Sequence, residues 1–278
     1  MTIRDILVHI DTAVGCEARL NAAIAMAVTH DAHLVGLYVM PDIRLPAYSE
    51  VDIPADILQA QEERQAETAA ESGVSFDAAT SAAAVSAEWR CVTGDPATTL
   101  AIHARYMDLV VVSQHAVDGQ LGAVISEIPD HIVLTAGRPV LVIPDHFTGG
   151  AIGKRVMIGW DAGQMATRAL HDALPILQKA EQVSVMVVNP KKGRIGHNDL
   201  PGADVAHHLA RHGVVAEADH ITAADMGVGD QLLARSADMR ADLVVTGAYG
   251  HARWKELILG GVTRQLLETM PVPVLMSH

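Results

Sequence analysis

The sequence predicts an α/β protein in which one strand-and-helix pattern is used twice, and three observations carry that prediction. Short apolar runs bounded by turn residues alternate along the chain with longer stretches of helical periodicity. Hydrophobic residues make up 50% of the chain but aromatic residues only 3%, so the core is built from Val, Leu, Ile, Ala and Met, which suits parallel strands covered by helices on both faces. A displacement of 134 residues lays Asp108 on Asp242, Leu109, Val110 and Val111 on Leu243, Val244 and Val245, and Pro139, Val140 and Leu141 on Pro273, Val274 and Leu275. Several matching segments at one displacement mark an internal repeat.

The elements follow in order. Residues 6–10 form an apolar run ending at Asp11, and 16–29 carry a helical pattern. A second strand, 33–39, closes at Met40 and Pro41, and 42–51 reads as a loop broken by Pro46. Ala, Gln and Glu dominate from Pro54 to about Ala83, which predicts a long amphipathic helix whose Glu62, Glu63 and Arg64 face solvent. Residues 88–92 read as a third strand in which Cys91 packs. Gly94, Asp95 and Pro96 turn it into a helix over 97–106 with Asp95 as N-cap. Strands at 108–113 and 139–144, with a helix between them, complete the first half.

Thr148, Gly149 and Gly150 interrupt the pattern, and it begins again at Arg155. The strand 156–160 ends at Asp161 as the first ended at Asp11. A helix over 165–179, a strand over 183–188, a helix over 204–212, a strand over 216–221 and a helix over 229–239 follow. The strand 242–246, a helix over 262–268 and the strand 273–276 end the chain. The expected domains are residues 1–146 and 152–278, each large enough for its own core.

Charge and composition exclude several classes. A formal charge of -13 with no basic stripe argues against nucleic acid as a partner. Cys16 and Cys91 are too few for a disulfide framework, which fits a reducing compartment. The N-terminus runs directly into a strand with no leader-like apolar segment, and no apolar run reaches the roughly 18 residues of a membrane span. A soluble, cytoplasmic protein is expected.

The densest motif lies where the second half departs from the first. Gly247 and Gly250 follow an apolar strand, and a nine-residue excursion, 251–259, leads to Gly260 and Gly261 at the start of a helix. Glycines after a parallel strand let backbone amides approach a ligand at the carboxyl edge of the sheet. The unpaired amides of the next helix can face an anion. At the repeat displacement, Ser113, Ala116 and Ser126 replace Gly247, Gly250 and Gly260. The first half therefore lacks these glycines.

The motif Gly, two residues, Gly, nine residues, Gly, then Ser or Thr resembles the nucleotide motif of the universal stress protein family, here in a tandem arrangement over nearly the whole chain. Gly261 stands at the Ser/Thr position. The resemblance implies two tandem Rossmann-like domains of the adenine nucleotide alpha hydrolase-like type. Each has a five-stranded parallel sheet of order 3-2-1-4-5, and the halves pack as a pseudo-dimer. It further implies that Gly247, Gly250, Gly260, Gly261 and Val262 offer backbone donors to the phosphates of ATP, with Thr263 adding a hydroxyl. Asp161, preceded by Gly159 and Trp160, holds the ribose, and Val188 borders the adenine. Mg²⁺ bridges phosphate oxygens. Pairing into homodimers is common in the family, and a protein partner reading the nucleotide state is expected.

Other constellations carry less. Gly227, Val228 and Gly229 lack the third glycine of a dinucleotide fingerprint and read as a helix start. No glycine loop ends in Lys and Ser/Thr, so this is not a P-loop protein. The acidic pair and lysine of a phosphoacceptor domain are not both present in either half. His207, His208 and His212 suggest a metal, but the simpler reading is exposed histidines. His115 and His251 flank the two loops, and Arg253 and Lys255 lie within the excursion. Ser113, Ser126 and Ser236 show no partnered His and Asp and no nucleophile elbow. No general base or nucleophile stands out, so binding without strong catalysis is expected. The alternatives are an interaction scaffold that binds no nucleotide and a slow nucleotide hydrolase or transferase.

Overall fold

The computed structural model describes residues 2–41, 55–114, 128–190, 202–222, 226–249 and 261–278. The expected loop 42–51, Gly250, Gly260, His115, Ala116, Ser126, His251, Arg253 and Lys255 lie outside them.

The first half runs β1 (Asp5–Ile10), α1 (Cys16–His30), β2 (His33–Met40), α2 (Ala55–Ala82), β3 (Ala87–Thr93), α3 (Pro96–Ala104), β4 (Leu109–Ser113), α4 (Ile128–Thr135) and β5 (Val140–Ile143). The second runs β6 (Arg155–Gly159), α5 (Gln164–Leu177), β7 (Gln182–Val188), α6 (Ala203–Arg211), β8 (Ala216–Ile221), α7 (Val228–Asp238), β9 (Leu243–Gly247), α8 (Gly261–Thr269) and β10 (Val274–Ser277). The repeat displacement of 134 maps β4 onto β9 and β5 onto β10 end to end. Asp95 caps α3 as expected, accepting from the Thr98 amide at 2.9 Å.

Each half has the order 3-2-1-4-5 with parallel pairing throughout. The halves do not keep separate sheets. β5 and β10 pair antiparallel, with Val142 opposite Val274, Leu141 opposite Leu275 and Val140 opposite Met276, so that ten strands form one sheet. Leu141 and Leu275 are each other's counterparts in the repeat, which puts a local two-fold axis between them, as in an isologous dimer interface. An apolar strand such as VLVI left at an edge would expose unpaired amides and carbonyls, and the seam covers both. The free edges are instead β3 (AEWRCVT) and β8 (AEADHI), which carry polar residues and are only partly buried. Cys91, expected to pack, is exposed on β3 because that strand is an edge.

Side chains alternate across the sheet and make two cores. Ile6, Val8 and Ile10 share one core with residues of α1, α2, α5 and α6, whereas Leu7, Val110 and Val112 share the other with residues of α3, α4, α7 and α8. Gly36 in β2 lies against the buried Phe76 of α2; a Cβ there would sit 2.5 Å from the ring. Asp108 and Asp242, the repeated acidic pair, act on the amino edge of the sheet. Asp108 accepts from the Arg4 and Asp5 amides at 2.8 and 3.2 Å. Asp242 Oδ1 accepts from the Gly153, Lys154 and Arg155 amides at 2.8, 3.0 and 3.1 Å. No helix among the described residues is long and apolar enough to cross a membrane.

Candidate functional site

At the carboxyl edge of the second half, β6, β7 and β9 end around a cavity of about 410 Å³, within the usual range for small-molecule sites. Eight of the ten expected site residues line it: Gly159, Trp160, Asp161, Val188, Gly247, Gly261, Val262 and Thr263. Gly250 and Gly260 lie outside the described residues. Residues far apart in sequence meet here because parallel strands end on one side and each crossover helix restarts from that side.

Asp161 lies two residues beyond the end of β6 and is exposed at the rim. Its Oδ1 accepts from the Gly163 amide at 2.8 Å, which aims the carboxylate toward the start of α5. The Trp160 amide donates to Met186 O at 2.9 Å and holds the strand end in register. Across the cavity, α8 opens with Gly261, Val262 and Thr263, where helix amides have no partner within the helix. Among the described residues, a Cβ at Gly261 would meet nothing within 4 Å. Thr263 is 4% exposed, and its hydroxyl accepts from the Tyr249 amide at 3.2 Å.

Several lining residues carried no motif in the sequence. Met165, Ala166, Met186, Val187, Val228 and Leu232 make apolar walls, and Thr246, Asn189 and Tyr249 add polar atoms. Tyr249 sits in left-handed backbone, φ 57°, and its hydroxyl donates to Asp130 of α4 in the other half. Burial, then the hydrogen bond and charge of Asp130, push the phenol far above its ordinary range, so it stays protonated. The only signal for Tyr249 was its place between two motif glycines.

Gly247 serves packing as well as access. A Cβ there would lie 2.4 Å from both the Ala166 nitrogen and the Met165 carbonyl carbon, because α5 starts directly against β9. In the first half the small residue is on the helix side: Gly15 precedes α1, and its Cβ position is 3.4 Å from Ser113 Oγ. The same close approach is thus made with the glycine on opposite partners, and the glycine of β9 cannot be read as a ligand contact alone.

A model of the universal stress protein family matches residues 2–144 and 153–278. The chain belongs to the universal stress protein family. No curated protein matches it significantly. Among solved structures, a universal stress protein from Archaeoglobus fulgidus DSM 4304 is similar over 98% of this chain and 97% of its own, with TM-score 0.74 and 16% identity. A functionally unknown protein from Pseudomonas aeruginosa PAO1 is similar over 99% of this chain and 92% of its own, with TM-score 0.58 and 16% identity. At these identities the likeness is one of fold.

In this tandem universal stress protein the first half fills the corresponding place with its own side chain. Arg19, 1% exposed, reaches from α1 to the carboxyl edge of β1 and β4. Its Nε donates to His9 O at 2.7 Å, Nη2 to Asp11 Oδ1 at 2.8 Å and Nη1 to Ser113 Oγ at 2.5 Å. Asp11 makes the same local turn as Asp161, accepting from the amide two residues on, Ala13, at 3.0 Å. The residue that stands to Asp161 as Arg19 stands to Asp11 is Ala169, 1% exposed. The second half carries an alanine at the matching place, which cannot span to Asp161 as Arg19 spans to Asp11. The sequence signal was present in that pair, but only burial shows that Arg19 points inward.

Proposed function

We propose that this universal stress protein binds an adenine nucleotide, ATP with Mg²⁺, in its second half, and that occupancy rather than turnover is its output. The observation that carries the reading is the convergence of Asp161, Val188, Gly247 and the opening of α8 on one cavity, while the equivalent place in the first half is filled by Arg19. The apolar walls and Val188 suit a base, the Asp161 carboxylate accepts from ribose hydroxyls, and the open start of α8 suits phosphates. Mg²⁺ would ride on phosphate oxygens and water, with Asp161 the one carboxylate among the described lining residues. In this reading residues 1–146 are a filled partner unit and 152–278 the binding unit. A protein partner or a second copy of the chain, in the cytoplasm, would read a nucleotide-dependent change in population.

Calorimetric titration of the nucleotide-stripped chain with Mg-ATP tests this. One site per chain, weakened at least about tenfold by Asp161→Ala (the loss of one charged hydrogen bond) with the fold retained, supports the reading. No binding to a folded chain overturns it in favour of a scaffold without nucleotide, and phosphate release at a steady rate overturns the non-catalytic part.

A further inference from the structure

Helices α5 and α6 pack side by side on the second half, and they bring together three histidines that sequence spacing does not unite. His171 comes from the middle of α5, His208 from the last turn of α6, and His212 caps that helix. One ring nitrogen from each lies within 4.8 Å of the others. His207, grouped with His208 by sequence, is not a member; one residue's step turns it about 100° around the helix, and His171 takes its place.

We propose that His171, His208 and His212 form a binding site for a zinc-class divalent cation, separate from the cavity at the carboxyl edge. The Nε2 atoms of His171 and His208 are 3.2 Å apart. Tetrahedral zinc with Zn–N of about 2.0–2.1 Å holds its ligands roughly 3.3 Å from one another, so this pair already spans one edge of the coordination shell. His212, with its ring centroid 4.7 Å from that of His208, completes the face by a small side-chain rotation.

Two further features orient the ligands. His171 Nδ1 lies 2.8 Å from Thr167 O. A carbonyl only accepts, so Nδ1 carries the hydrogen and Nε2 presents its lone pair, the arrangement by which metal-binding histidines are held through their second nitrogen. His208 Nε2 then donates to it in the metal-free protein, and metal entry moves that proton to Nδ1 of the same ring. The backbone of His212 is tied on both sides: its amide donates to Leu209 O at 2.9 Å, and its carbonyl accepts from Gln178 Nε2 of the α5 cap at 3.0 Å. The cluster also sits at the carboxyl end of α6, where the helix dipole favours a cation. Three imidazoles suit zinc, copper or nickel rather than magnesium or calcium. The fourth position is left for water or an anionic group, as in three-histidine zinc sites. None of the three histidines lines the cavity proposed for nucleotide, so the two sites can be tested apart.

The test is titration of Zn²⁺ into the chelator-treated, untagged full chain carrying Cys16→Ser and Cys91→Ser, so that thiols supply no ligand, with Co²⁺ as the spectroscopic probe. One saturable equivalent is expected, with the visible bands of four-coordinate Co²⁺ and a rise in thermal midpoint on adding Zn²⁺. His171→Ala, His208→Ala and His212→Ala should each weaken it more than about tenfold, since loss of an outer-shell partner alone costs roughly 10–100-fold. These positions are exposed or half-buried on helix surfaces, and unchanged circular dichroism confirms that each variant is folded. His207→Ala should leave the equivalent intact. Absence of a saturable equivalent, its survival in His171→Ala/His208→Ala, or equal loss in His207→Ala overturns the proposal.

Discussion

Arg19 and Asp11 form a buried ion pair, Nη2 to Oδ1 at 2.8 Å, in the place where the second half keeps an open cavity beside Asp161. Burial opposes ionisation of Asp11, but the charge of Arg19, with His9 and hydrogen bonds from Arg19 and Ala13, outweighs it and holds the carboxyl below its ordinary range. The guanidinium stays charged although burial opposes that too, chiefly because Asp11 faces it. The cation thus does internally what a ligand would otherwise do.

Removing the cation strands the carboxylate. Arg19→Ala should destabilise the chain by about 3 kcal/mol or more, the cost of breaking a buried pair, read as a lower urea midpoint.

Acid stability should be governed by His9. Burial, with Arg19 repelling and Asp11 attracting, lowers its pKa from 6.5 to about 4. Below pH 6.5 the unfolded chain takes up a proton that the folded chain refuses, so this contribution is full above about 6.5 and is lost as pH falls toward 4. The loss is about 3 kcal/mol at 1.36 kcal/mol per pKa unit. His30, lowered to about 4 by burial and then by Lys179, is more accessible and adds less in the same window. Urea midpoints at pH 7 and pH 4.5 should converge in His9→Asn relative to the parent chain.

Glycines at the cavity should separate by what surrounds them. Gly261→Ser meets no described residue and restores the hydroxyl of the family motif; stability should change by less than about 0.5 kcal/mol, and Mg-ATP should bind up to about tenfold tighter through one added charged hydrogen bond. Gly247→Ala pushes a methyl to 2.4 Å from the α5 backbone and should cost about 1–3 kcal/mol of stability. Paired thermal melts and calorimetry read both.

Tyr249 joins the cavity to the other half. Tyr249→Phe deletes the hydrogen bond to Asp130 and should cost about 1.5 kcal/mol or more, as for bonds to charged groups. Asp130→Asn keeps an acceptor and should cost less. Equal urea midpoints for Tyr249→Phe and the parent would remove this contact from the stability of the fold.

Much of this molecule was legible in its sequence. The strand runs 6–10, 33–39, 108–113 and 183–188, the Asp95 cap and the 134-residue repeat all report local chemistry: burial on both faces of a strand, a carboxylate at a helix start, the same core built twice. The cavity residues were legible because a parallel sheet gathers its strand ends on one edge, so Asp161, Val188 and Gly247 were bound to converge. What the sequence left open depends on partners distant along the chain. That β5 and β10 join into one sheet follows from edges needing cover, and no spacing encodes it. That Gly247 faces a helix backbone, that Arg19 turns inward and that His171 stands beside His208 are outcomes of packing between elements. The sequence by itself determined two copies of one α/β pattern and that the second copy's strand ends carry the glycine motif. Tertiary structure alone decided that Arg19 turns into the first copy's sheet edge, because the placing of a side chain is a matter of direction and volume, which periodicity does not carry.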